Sequence, residues 1–321
     1  MASDRTNLLC ILKVLEEYSD EDHILSLPEI QEILRREYGK ELDRRTLYAA
    51  FDALADSGYD ISRHSDNGKG YYLAERTFSN AEIRLMIDAI YSCEYISKKQ
   101  TEELLEKLRG FLSVHERRRY SYSNLILPEK KSLNQQVFLN IEILDQAIEK
   151  KKKISFVYLD YDYDKKLKPR REELYKASPY SMICESEHYY LVMIAEGHSD
   201  PSFYRIDMMK DIKILDETID ISKRDAKLDS TKKVVYAHAG EPVQIHLHCQ
   251  RAALRYVIER FGNDVIIKKN EDGSFEAFFR AAPEGMKYWA LQYLQSVELI
   301  SPEDLREEIV KAVRSNNYTK E

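Results

Sequence analysis

The sequence predicts an α+β, multidomain chain, and three observations carry that prediction. Its 321 residues exceed what one hydrophobic core usually organises. The apolar period changes along the chain, from helical spacing in the first third to strand alternation from about residue 154. In the last third, strand-like and helix-like runs interleave between turn signals. Together these shifts divide the chain into 1–76, 77–134, 135–220 and 221–321.

The first segment reads as three helices and a hairpin. Residues 7–18 set Leu8, Ile11, Leu12 and Leu15 at helical spacing. Ser26 caps a second helix, with Pro28 and Glu29 in its first turn, the stripe Ile30, Ile33 and Leu34 behind them, and Gly39 at its end. Asp43 caps a third helix to about Ser57 over Leu47, Ala50, Phe51 and Leu54, and Gly58 follows in the left-handed position. In YDISRHSDNGKGYYL, two strand-forming runs flank turn chemistry at residues 66–70. A hairpin after three helices is a wing, so residues 1–76 are expected to form a winged helix-turn-helix.

Beyond it, helices are expected over 81–95, capped by Ser79, and over 99–112, with Leu104, Leu105 and Leu108 on one face. They form a helical connector. Residues 113–132, with Arg117, Arg118, Arg119, Pro128, Lys130 and Lys131, read as an irregular linker. From Ile141 a helix runs into the charge block 149–153, and ISFVY then alternates Ile154, Phe156 and Tyr158 onto one face. Further strands at ELYKASPYSMI, HYYLVMIA, SFYRIDM and KDIKIL, joined by short turns, predict a small antiparallel barrel over 141–217. VQIHLHC, a helix over 251–261, DVIIKKN, SFEAFFRA and a helix over 286–295 give the order of a ferredoxin-like α/β unit, followed by a last helix over 302–314.

Composition bounds the function. With 43% hydrophobic and 33% charged residues, a folded globular chain is expected. Lys13, Glu16 and Glu17 interrupt the first apolar stretch, and no other stretch suits a membrane, so a cytoplasmic location is expected. Cys10, Cys93, Cys184 and Cys249 show no C-x-x-C spacing, which argues against a zinc knuckle or a disulfide framework. The formal charge of -7 is not the footprint of a nucleic-acid binder. The first 75 residues hold nine Lys/Arg against sixteen Asp/Glu, so a DNA contact has to come from a local basic face.

That face is found in LDRRTLYAAFDALADSG. A reading helix needs polar or basic residues at its start and an apolar back. Arg44 and Arg45 begin this one, Thr46 and Tyr48 offer hydroxyls on the same turns, and Arg63 and Lys69 equip the wing for phosphate. The plainer reading of Arg44 and Arg45 is a solvated helix start. His246, His248 and Cys249 hint at zinc, but no further ligand cluster lies nearby, and neither metal nor cofactor is expected. The run 150–153 reads as a solvated helix end or as steering for nucleic acid. Nucleophile-elbow, P-loop, zincin and Rossmann motifs are all missing from the sequence, so catalysis is not indicated.

Taken together, these segments resemble the WYL-domain transcriptional regulators of bacteria, with a DeoR-like winged helix, a WYL domain and a C-terminal extension, over almost the whole chain. The naming tripeptide is similar to Tyr189-Tyr190-Leu191, with tyrosine in the tryptophan position. ISFVY is similar to the family's first strand, and FYRIDMM resembles its R-x-D-R segment through Arg205 and Asp207. Met208 replaces the second arginine, and Ala49 stands where the reading helix often has another. The resemblance implies an Sm-like barrel that senses nucleotides or single-stranded nucleic acid. The residue types agree: aromatics stack bases and arginines hold phosphates. Tyr158, Arg170, Arg171, His188, Tyr189, Tyr190 and Arg205 are the candidates. Plain barrel core for the tyrosines, and an internal pair with Asp207 for Arg205, are the alternatives. The implied protein is a homodimer on duplex DNA. Its rivals are a nucleic-acid-binding accessory protein of a nuclease or phage-defence system, and a hydrolase for which no catalytic pair is found.

Overall fold

The computed structural model describes residues 2–119, 131–185, 188–198, 200–219 and 242–316. It divides into two compact units that meet between Lys131 and Ser132.

In the first unit, α1 (Ala2–Tyr18), α2 (Leu27–Tyr38) and α3 (Arg44–Asp56) pack around Ile11, Leu15, Ile30, Leu34, Leu47 and Phe51, all fully buried. α1 starts five residues before the periodic stretch that predicts it. α2 begins with a capping box between Ser26 and Glu29 and ends at Gly39, left-handed at φ 60°. The Asp43 carboxylate accepts the Thr46 N–H at 2.7 Å and caps α3. The wing pairs β1 (Ile61–Ser62) with β2 (Tyr72–Leu73), and a bridge from Leu25 to Tyr71 adds a third element. Gly70 is required there: a Cβ would stand 2.3 Å from the Leu25 carbonyl oxygen. Where turn chemistry alone was expected, the chain makes a one-turn helix, α4 (His64–Asn67), closed by the Arg63 N–H on Asp66 at 2.8 Å.

Ser79 and Ser97 cap α5 (Asn80–Ser92) and α6 (Lys98–Arg109) with capping boxes. A further helix, α7 (Val114–Arg119), replaces the first part of the expected linker. Its cap, Ser113, accepts the Glu116 N–H at 3.1 Å and donates to buried Asp20 at 2.6 Å, a contact across the chain that no local pattern announces. The rest of that linker, 120–130, lies outside the described residues.

In the second unit, α8 (Val137–Glu149) lays Val137, Asn140, Leu144 and Ala147 against a sheet of β3 (Lys152–Tyr161), β4 (Leu167–Pro169), β5 (Tyr175–Glu185), β6 (His188–Ala195), β7 (Ser202–Arg205) and β8 (Met209–Thr218). The order is β4-β3-β5-β6-β7, with β8 also on β3. β3 carries two register shifts along β8 and turns from one partner to the next. Its core holds Ile154, Phe156, Leu191, Met193, Ile206 and Met209. No ladder joins β7 to β8 among the described residues; a 3₁₀ turn, Ile206–Met208, links them. The sheet of the expected small antiparallel barrel is a curled half-barrel.

The C-terminal part runs β9 (Val243–Cys249), α9 (Leu254–Phe261), β10 (Ile266–Lys269), β11 (Phe275–Ala281), α10 (Pro283–Gln292), β12 (Val297–Ser301) and α11 (Glu303–Arg314). All pairings are antiparallel, in the order β10-β11-β9-β12. β12 was not foreseen, because VELIS is short and lies between two helical patterns. It completes the strand–helix–strand–strand–helix–strand order of a ferredoxin-like unit.

Candidate nucleic-acid interface and ligand site

α3 presents Arg44 and Arg45 exposed at its first turn, Thr46 half-buried and Tyr48 47% exposed, while Leu47, Ala50, Phe51 and Leu54 face the core. One helical face carries Arg45, Tyr48 and Asp52. Arg63 reaches back from the wing to Asp52 at 2.7 Å and to the Phe51 carbonyl at 3.3 Å. It therefore ties the wing to α3 and neutralises a carboxylate on the presented face, a task different from the phosphate contact expected of it. Lys69 is exposed at the wing tip, where its N–H and that of Gly70 donate to Asn67 Oδ1 at 2.7 and 2.9 Å. Tyr71 stacks on Phe51 with ring centroids 4.5 Å apart, and burial pushes its hydroxyl up to about 12. Ala49 lines a cleft with Leu8, Arg45, Ala50 and Ala53 and supplies no cation there.

On the curled sheet, the Arg205 guanidinium donates to both carboxylate oxygens of Asp207, at 3.1 and 2.7 Å. Asp207 is 2% exposed, and the arginine side chain 29%. Burial disfavours the charge on Arg205, but the Asp207 carboxylate outweighs it and the net shift is upward. The internal pair is thus present, and the arginine still opens to solvent on one side. The Tyr158 hydroxyl accepts the Arg205 N–H at 3.4 Å, and burial pushes it up to about 12. It stays neutral at any physiological pH.

Around this pair, Phe156, Tyr158, Tyr175 and Tyr204 form one aromatic cluster. Centroids lie 4.7 Å apart for Tyr158 and Tyr204, 5.3 Å for Phe156 and Tyr175, and 5.7 Å for Tyr175 and Tyr204. The Arg171 guanidinium sits 3.6 Å over the Tyr175 ring. Burial raises the Tyr204 hydroxyl, and the charges of Arg170 and Arg171 pull it the other way. Tyr190 is paired across β6 and β7 with Arg205, with His188 beside it, rings 6.2 Å apart. Tyr189, one residue away on β6, points to the opposite face from Tyr190, onto the core that contains Leu191, Met193, Phe156 and Tyr175 and against which Tyr158 and Tyr204 also pack. The fold thus gathers Tyr158, Arg170, Arg171 and Arg205 around one aromatic cluster, in which Phe156 and Tyr175 are buried and Tyr158, Tyr204 and Tyr189 pack against the same core, while Tyr190, with His188 beside it, turns to the other face of β6, opposite Arg205.

Residues 140–214 match the WYL domain, and residues 241–315 match the WCX domain. The chain carries a WYL domain followed by a WCX domain. Over 175 residues, 54% of this chain, it is 24% identical to the uncharacterized HTH-type transcriptional regulator YobV of Bacillus subtilis (strain 168). The match covers 53% of that protein, so the chain spans about half the length of the curated relative. Among solved structures it is similar to proteasome accessory factor B/C (PafBC) of Arthrobacter aurescens, with TM-score 0.27 and 16% identity over 95% of this chain and 47% of the other. It is also similar to a CRISPR Cas-related protein, with TM-score 0.38 and 14% identity over 98% and 86%.

The WYL domain contains the whole aromatic rim, with Arg205 and Asp207. Met208, in the place of the second arginine, is 7% exposed and faces the interior. Sequence reasoning missed Tyr175 and Tyr204, which read only as strand residues. It also missed the two amides that hold the 3₁₀ turn. Asn134 donates to the carbonyls of Asp207 and Met209 at 2.9 and 2.8 Å, and Asn140 to those of Ile206 and Met209 at 3.2 and 2.7 Å. The available signal was an amide inside the apolar stripe of α8.

In the WCX domain, His246 and His248 share a face, but Cys249 points into the core, where burial pushes its thiol up to about 12. Among the described residues, no group of three or more His, Cys, Asp or Glu is placed to hold a metal ion.

Proposed function

We propose that the chain is a non-enzymatic, cytoplasmic transcriptional regulator that binds duplex DNA as a homodimer. Its WYL domain, an open Sm-like barrel, takes a nucleotide or single-stranded nucleic acid. The carrying observation is the rim of Tyr158, Tyr175 and Tyr204 between Arg170, Arg171 and Arg205: aromatic faces stack bases, and fixed guanidinium charges hold phosphates. The exposed Arg44 and Arg45 at the start of α3 supply the duplex contact, and the resemblance to YobV supports regulation. Two reading heads suit paired half-sites, so the solution mass should be twice 37.8 kDa. No helix among the described residues is long and apolar enough to cross a membrane.

The test is a retardation assay with DNA from upstream of its own gene, repeated with oligo(dT), oligo(U) and mononucleotides. A shift in duplex affinity when one of these is present supports the reading. Duplex binding that none of them changes removes the ligand, and absence of duplex binding removes the regulator. The acidic balance of the first 75 residues favours the second reading, a nucleic-acid-binding accessory protein. That reading predicts single-strand binding without duplex binding.

A further inference from the structure

The helices of the WCX domain cover one face of its sheet. Val257, Met286, Trp289, Leu305 and Ile309 join Ile245, Leu247, Ala277 and Phe279 in one core. Strand alternation puts His246 and His248 of β9, and Glu276, Phe278 and Arg280 of β11, on the other face. The register sets His246 opposite Phe278 and His248 opposite Glu276. The His246 ring lies flat against Phe278, with centroids 4.4 Å apart and planes 18° from parallel. None of these five side chains is in the core.

The charge on this face is arranged unevenly. Glu276 is held by His246 Nε2 and His248 Nδ1, each at 2.7 Å, and by the Asn270 amide at 3.1 Å. Glu298, opposite His248 on β12, pairs with Arg306 at 2.6 Å. Both carboxylates are therefore engaged. Two cations flank them: Lys268, opposite Glu276 in the register of β10 on β11, lies 5.1 Å over the Phe278 ring, and Arg280 donates to the Pro242 carbonyl at 2.6 Å. A flat aromatic pair stands at the centre of an open antiparallel sheet, with positive charge beside it.

We propose that this face is a second binding site, separate from the WYL rim, and that its ligand is single-stranded nucleic acid. A base stacks on the His246–Phe278 pair, and Lys268 and Arg280 hold the phosphates on either side. Four-stranded sheets of this topology offer their two central strands to bases, and stacking tolerates any sequence because every base has a flat face. Glu276 serves as a positioning residue that fixes both imidazoles. The site does not depend on the ligand proposed for the WYL domain.

The test uses the full chain and fluorescein-labelled 12-nucleotide oligo(dT) and oligo(U), read by anisotropy. The double variant His246→Ala/Phe278→Leu should weaken binding about tenfold or more, because one stacked base is lost. Arg280→Gln, at an exposed position, should flatten the salt dependence by about one unit of slope. Comparing the two oligonucleotides separates DNA from RNA as the source. Photocrosslinking with 5-iodouridine in the oligo(U) should mark the peptides of β9 and β11. Crosslinks confined to residues 158–205, or unchanged affinity in both variants, overturn the proposal. So does a fall in solution mass caused by the double variant, which would make this face an interface between copies. Circular dichroism melting should match wild type; if the double variant melts early, Arg280→Gln and the crosslinks decide.

Discussion

The turn that carries Arg205, Asp207 and Met208 hangs on two buried amides, so removing them has a worked outcome. Asn140 is 2% exposed and Asn134 8%. In Asn140→Ala, the Met209 carbonyl keeps the Asn134 amide and the Ile206 carbonyl keeps the Met209 N–H, so two bonds are lost but neither acceptor is stranded. At about 1 kcal/mol per bond, the cost is about 2 kcal/mol plus lost packing. Asn134→Ala also strips the Asp207 carbonyl of its amide donor, and a stranded buried acceptor costs about 1–3 kcal/mol. In the double variant, Met209 loses both side-chain donors at once. The two changes should therefore exceed their sum by about 1 kcal/mol, the coupling expected for partners on one acceptor. Hydrogen exchange of peptides covering residues 200–214 in the full chain measures the local opening free energy of each variant. Simple additivity, or protection unchanged in either single variant, would refute the claim that these amides position the turn.

Three other outcomes follow from particular contacts. Gly70→Ala puts a Cβ 2.3 Å from the Leu25 carbonyl, so the wing strand has to move; a loss on the order of 2 kcal/mol should show in thermal melting followed by circular dichroism. Arg63→Ala removes a half-exposed ion pair, so stability should fall by no more than about 1 kcal/mol, while exchange across residues 61–73 rises as the wing detaches from α3. The Glu276 carboxylate holds the His248 pKa above its ordinary 6.5. Its folded value is the raised one, so this contact stabilises the protein fully below pH 6.5 and fades as pH rises through the folded value. Proton NMR should place the His248 midpoint above 6.5 in wild type and lower it in Glu276→Gln.

Local chemistry in the sequence announced most of the first unit. Caps, stripes and turn residues act within a few positions of themselves, and Ser26, Gly39, Asp43 and Ser79 stand at the helix ends. What the residues hid were contacts across long separations. Ser113 caps α7 while donating to Asp20, and Arg63 meets Asp52, neither of which any periodicity encodes. In the WYL domain, the strands and the Arg205–Asp207 segment were readable, yet the rim was not. Tyr175 and Tyr204 reach it only because β5 and β7 curl around β3 and β6, and Tyr189 and Tyr190 part because strand alternation turns neighbouring residues to opposite faces. β12 escaped notice because five residues between two helices give too little pattern.

The account stands on α3 reading duplex DNA, and anisotropy with labelled upstream DNA tests this at two salt concentrations. Arg44→Ala/Arg45→Ala leaves the Asp43 cap and the buried stripe of α3 intact, so the fold should hold. Wild type should bind, and the double variant should lose several kcal/mol of affinity at fixed salt, at about 1–3 kcal/mol per specific contact. Equal affinity of the two proteins, or a wild type that binds no upstream fragment, would contradict the account.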